Sequence, residues 1–71
     1  MKIQFTDHVK YRILERGIDV SQIKTVLKNP DSNKFAFNNK MKATKKLNGR
    51  TLEVVYIKKR AEVIIVTAYY I

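Results

Sequence analysis

The sequence predicts an α+β domain in which two short helices cover an antiparallel sheet. Three observations carry that reading: helical spacing of apolar residues between Thr6 and Pro30, alternation of apolar and polar residues from Ser32 onward, and an Asn48-Gly49 pair suited to a tight hairpin. With 71 residues and no linker, repeat or low-complexity segment, the chain reads as one domain, 1–71, with a small core.

Thr6 to Gly17, TDHVKYRILERG, is the first helix. At roughly 100° per residue, Val9, Ile13 and Leu14 fall on one side and are expected to be buried. His8, Arg12, Glu15 and Arg16 gather on a neighbouring arc. Thr6 is the candidate N-cap, Asp7 suits the positive end of the helix dipole, and Gly17 is a left-handed stop.

The second helix starts within IDVSQIKTVLKNP. Asp19 followed by Gln22, bracketed by Ile18 and Ile23, is a capping box with a hydrophobic staple. Val20, Ile23, Val26 and Leu27 form the expected buried stripe, and Asn29-Pro30 ends the helix. Ahead of both helices, Ile3 and Phe5 alternate with polar residues, which reads as a short strand or an extended lead-in over Lys2 to Phe5. After them come Asn33 to Asn38, with Phe35 and Phe37 at spacing two, an Asn38-Asn39 turn, and Lys40 to Leu47 with Met41, Ala43 and Leu47 on one face. Asn48-Gly49 predicts a type I′ turn into Arg50 to Lys58, and Lys59-Arg60 a second turn into Ala61 to Tyr70.

These turns set registers. A two-residue loop at Asn48-Gly49 places Leu47 opposite Arg50, Lys45 opposite Leu52, Ala43 opposite Val54 and Met41 opposite Tyr56. A loop centred on Lys59-Arg60 places Tyr56 opposite Val63, Val54 opposite Ile65, Leu52 opposite Thr67 and Arg50 opposite Tyr69. Opposed residues share a face, so Lys45, Arg50, Thr67 and Tyr69 are expected together at the polar end of the helix-covered face, near His8 and Arg12. The other face then carries Val55, Ile57, Ile64, Val66, Ala68 and Tyr70 mixed with Lys42, Lys46 and Glu53, enough apolar surface to expect a partner or a second copy, a homodimer, over it.

Fifteen Lys and Arg against six Asp and Glu leave a net charge of +9, a field that attracts nucleic acid or acidic proteins. A lysine-rich solvated surface is the bland alternative. No helix combines a basic face with the wide apolar face that membrane binding needs, and runs such as Val63 to Val66 are too short to span a bilayer. MKIQFTDH has no signal-peptide core, so a cytoplasmic protein is expected. Without cysteine there are no disulfides and no thiolate metal sites.

One histidine and scattered carboxylates do not build a typical metal-ligand set, no glycine-rich phosphate loop is present, and no serine has triad partners. Neither metal nor cofactor is expected. What remains suits a phosphodiester. Metal-free RNA cleavage needs a base for the 2′-hydroxyl proton, cations for the crowded phosphorane and an acid for the leaving oxygen. His8, Arg12, Arg50 and Tyr69 are of those chemical types, Thr67 adds a hydroxyl, and Arg16, Lys42, Lys45 and Lys46 supply RNA-backbone contacts. Each also has an ordinary structural reading: a histidine at a helix start, arginines paired with Glu15, an exposed arginine after a hairpin glycine, a strand threonine and a rim tyrosine.

His8, Arg12, Glu15, Arg16, Gly17 and Ile18 form the pattern HxxxRxxERGI, and VIIVTAYY over Val63 to Tyr70 follows Gly49-Arg50 and an apolar strand. Together they resemble a small prokaryotic family classed as a domain of unknown function, itself similar to the ribonuclease superfamily of barnase, EndoU and the RelE-like toxins of toxin–antitoxin modules. The resemblance implies a RelE-like fold, two N-terminal helices on a twisted antiparallel sheet of three to four strands, with a site between the first helix and the sheet. It also implies a metal-independent endoribonuclease held inactive by an acidic antitoxin. His8, Arg12, Arg50 and Thr67 stand at the matching positions, with Arg16 and Tyr69 beside them. RelE-like members often work through Lys, Arg and Tyr without histidine, so His8 as acid or base rests on the residues alone.

Two functions are therefore expected from different classes. The first is an endoribonuclease toxin in which Arg12 and Arg50 hold the scissile phosphate. The alternative is a non-catalytic basic module that binds nucleic acid or an acidic protein, in which Lys40, Lys42, Lys45 and Lys46 matter more than His8.

Overall fold

A computed structural model describes residues 2–71 of the chain. Strand β1, Lys2–Phe5, leads into helix α1, Asp7–Glu15, whose first turn is capped by the Thr6 hydroxyl accepting from Val9 N at 3.1 Å. At its far end Ile18 N bonds to Ile13 O at 2.8 Å and Gly17 N to Leu14 O at 3.2 Å. This Schellman closure needs the left-handed φ of +69° that Gly17 adopts. Helix α2, Val20–Lys28, follows at once, with Asp19 N donating to Gln22 Oε1 at 2.9 Å.

Strands β2, Ser32–Phe35, β3, Lys40–Leu47, β4, Arg50–Lys59, and β5, Glu62–Tyr70, complete the chain. Strand β2 stops short of the expected Asn38 because Ala36 N bonds to Lys40 O at 2.8 Å and Lys40 N to Phe37 O at 3.2 Å. Asn38 and Asn39 both take positive φ in that turn, so Phe37 lies outside the strand.

The sheet has five strands in the order β1-β5-β4-β3-β2, and it is mixed. This corrects the expectation of two leading helices on an antiparallel, RelE-like sheet of three to four strands. Strand β1 precedes the helices and pairs in parallel with the last strand, Ile3 beside Val63 and Phe5 beside Ile65. The two helices carry the chain from β1 at one edge of the sheet to β2 at the other, and three antiparallel strands then bring it back to β5 beside β1.

The β3–β4 register contains all four pairs read from the Asn48-Gly49 turn, from Leu47 opposite Arg50 to Met41 opposite Tyr56. The β4–β5 register does not follow the expected one. Lys59 pairs with Glu62, so the turn is centred on Arg60-Ala61, and a bulge then slips the ladder by one: Tyr56 faces Ile65 but Val55 faces Thr67. Beyond the bulge Ala68 and Tyr70 stand opposite Val54 and Leu52, while Thr67 and Tyr69 stand opposite Val55 and Glu53. Arg50 and Thr67 are therefore on opposite faces of the sheet. An unbulged ladder would turn the Thr67 and Tyr69 hydroxyls into the core, at a cost of about 1–3 kcal/mol for each one left unpaired.

Both helices pack on the inner face, α1 over β5 and α2 over β4 and β3. Val9, Ile13, Ile18, Ile23 and Val26 meet Ala43, Leu52, Val54, Tyr56, Val63, Ile65 and Ala68 in one cluster. The Tyr56 hydroxyl donates to Asn33 Oδ1 at 3.1 Å, tying β2 to β4. Leu14, expected inside, is 80% exposed, and Val20 is exposed as well. In a nine-residue α1, Val9 and Ile13 point at the sheet, and Leu14 lies another 100° round the axis. Replacing Leu52 by alanine should lower unfolding free energy by about 2–5 kcal/mol, whereas Leu14→Ala should change it by less than about 0.5 kcal/mol, both read by urea denaturation.

Candidate nucleic-acid interface

Among the described residues no helix covers the outer face of the sheet. Its side chains follow from the registers. Ser32, Thr44, Glu53 and Tyr69 form one row across four strands, and Lys34, Lys42, Val55 and Thr67 form the next. Lys40 and Lys46 lie on this face of β3 as well, since alternate residues of a strand share a side. A shallow cavity of about 270 Å³ lies among Ser32, Lys34, Lys42, Thr44 and Glu53. Ammonium groups and hydroxyls over a half-exposed sheet form a surface that accepts phosphate oxygens.

At the edge of this face three sequence-predicted residues come together. Strand β1 covers β5 only from Glu62 to Ile65, so the backbone beyond it has no strand neighbour on that side among the described residues. Arg16, at the C-terminal cap of α1, fills the gap. Its Nη1 donates to Ala68 O at 2.9 Å and to Thr67 Oγ1 at 3.4 Å. The Tyr69 hydroxyl donates to the Glu53 carboxylate. Glu53 thereby joins the cluster, which sequence reasoning missed because the bulge that brings it opposite Tyr69 carries no local signal.

The remaining expected residues lie elsewhere. His8 is exposed in the first turn of α1, and among the described residues its imidazole makes no hydrogen bond or ion pair. Arg12 pairs with Glu15 on the same helix at 3.3 Å. Arg50 lies on the inner-face side, its guanidinium 3.9 Å from the centre of the Tyr70 ring. Lys45 shares that side and meets Asp31 at 3.5 Å, while Lys42 and Lys46 are exposed on the outer face. The Asp31 carboxyl sits below its ordinary value because it accepts from Lys46 N at 2.9 Å, with the Lys45 charge adding to the effect. The five residues expected to be catalytic thus divide: Thr67 and Tyr69 on the outer face with Arg16, Arg50 on the inner, and His8 and Arg12 on the helix. Among the described residues no group of three His, Asp or Glu side chains is placed to hold a metal ion.

The hydrogen bond to Glu53 raises the Tyr69 phenol above its ordinary value, burial adds to the rise, and the nearby Arg16 charge opposes it. A raised phenol pKa means that the bond stabilises the fold through neutral pH and is lost as pH climbs past the folded value. Ultraviolet titration should show the Tyr69 phenol ionising above the ordinary tyrosine value. Tyr69→Phe should remove that phase, and Glu53→Gln should move it down.

Neither a curated protein nor a solved structure matches the chain. A family model does match, over residues 5–70, and the chain belongs to that family, described as Domain of unknown function (DUF4258).

Proposed function

We propose that this chain binds RNA along the outer face of its sheet. The observation that carries the reading is the unlayered face itself, with Lys34, Lys40, Lys42 and Lys46 on two adjacent strands and Arg16 at its edge. Lys40 and Lys42 are two residues apart on β3, about 6.6 Å along the strand, a spacing at which successive cations track a sugar-phosphate backbone. Binding of this kind releases counterions and weakens steeply with salt.

A second reading, metal-independent RNA cleavage, is favoured by the contact between Tyr69 and Glu53 beside Arg16 and Thr67. In that reaction Glu53 takes the 2′-hydroxyl proton, the 2′-oxygen attacks phosphorus, and the Tyr69 hydroxyl gives a proton to the leaving 5′-oxygen. Arg16 and Lys42 then carry the charge that develops on the phosphate. Neither role needs His8. The acidic antitoxin that the toxin resemblance implies would dock on the same lysines and compete with RNA for them.

One assay separates the readings: pure protein is incubated with end-labelled single-stranded RNA in EDTA, and both retention and fragment length are followed. The binding reading predicts retained, intact RNA whose affinity falls with salt, with Lys42→Ala and Lys46→Ala each reducing the slope by about 0.7. Discrete fragments that vanish in Glu53→Gln and Tyr69→Phe establish cleavage. Failure to retain or cut RNA at low salt contradicts both.

A further inference from the structure

Two large aromatic side chains stand in water at one end of the sheet, where the β2–β3 turn lies beside the end of β4. Phe35 is 71% exposed and Phe37 is 75% exposed. Leaving each outside a core forgoes about 1.5–3 kcal/mol of burial. Lysines lie beside both. Lys40 Nζ sits 5.8 Å from the centre of the Phe37 ring, and Lys58 and Lys59 line the same cavity as Phe35, whereas Lys34 points to the other face of β2. A cavity of about 430 Å³ opens there, lined by Phe35, Asn39, Met41, Ile57, Lys58 and Lys59, with no carboxylate among its lining residues. The nearest acid by register is Glu62, opposite Lys59, and it accepts from Gln4 Nε2 at 3.4 Å.

We propose that Phe35 and Phe37, with the lysines around them, form a base-stacking platform for single-stranded RNA. The inference rests on the RNA-binding reading and deepens it, because Lys40 belongs both to this end and to the outer-face lysines of β3. A backbone followed along Lys46, Lys42 and Lys40 arrives at the Phe37 ring. Exposed aromatic faces bracketed by cations are what unpaired bases stack on, whatever their identity. The Asn39 side-chain amide, with a donor and an acceptor at the cavity wall, can meet a base edge. Bases of a duplex are stacked on one another and offer no free face. A second copy of this chain is a poor occupant, since it would bring the same lysines against each other in a molecule of net charge +9.

The test is fluorescence anisotropy with three labelled probes of equal length: an oligouridylate, the same ribose-phosphate chain without bases, and a duplex RNA. An oligodeoxyuridylate and sedimentation velocity at the same protein concentration accompany them. Phe35→Ala and Phe37→Ala should each weaken oligouridylate binding by roughly five- to a hundred-fold, while leaving the abasic chain and the duplex unchanged. Both residues are exposed, so the fold should survive, and circular dichroism checks it. Phe37→Trp should keep the affinity and lose indole fluorescence on binding. Oligouridylate binding that falls with salt but ignores both alanine substitutions overturns the platform and leaves the lysine face standing. No binding by any probe overturns both. Preference for the deoxy oligomer overturns the assignment to RNA, and dissociation of an oligomer by Phe37→Ala overturns it in favour of self-association.

Discussion

A single extra residue in β5 decides what each face of this sheet displays. The slip between Val55 and Tyr56 lets Ile65 and Ala68 both point at the helices, three residues apart where strict alternation allows only even steps. Ala68 lies completely buried in the core beside α1 residues Val9 and Ile13. Thr67 and Tyr69 turn outward by the same slip and meet Arg16 and Glu53. Core and surface chemistry are thus two results of one irregularity.

The helix layer and the polar edge are joined in the same way. Strand β1 ends at Phe5 because α1 must begin there, and its four residues leave the second half of β5 without a strand neighbour on that side. A bare strand edge is open to unwanted pairing, and the Arg16 guanidinium takes up its carbonyl at Ala68. The arginine that caps the first helix therefore also covers the open edge of the sheet. It also holds a positive charge beside the Tyr69 phenol.

What was legible in the chain was local. Asn48 and Gly49 have the positive φ that a tight hairpin needs, and they fixed the β3–β4 register through Ala43 and Met41. Caps at Thr6 and Gly17 marked α1 because each is a short-range hydrogen-bond device. The pairing of Ile3 with Val63 spans nearly the whole chain and leaves no mark on either segment, so the sequence predicts an antiparallel sheet of three to four strands and offers Lys2 to Phe5 only as a short strand or an extended lead-in. The bulge was illegible too. Val63 to Tyr70 is apolar at nearly every position, and such a run does not reveal where its ladder slips. That one step moved Thr67 and Tyr69 away from Arg50 and hid Glu53 from view.

The face on which the proposed RNA ligand would lie separates this account from a site built on the first helix. Amide chemical-shift mapping during titration with single-stranded RNA measures it directly. The account predicts perturbations gathered on Lys42, Thr44, Lys46, Glu53, Thr67 and the turn from Phe37 to Lys40, with α2 silent. Perturbations gathered instead around His8, Arg12 and Arg50, with β3 silent, would contradict it.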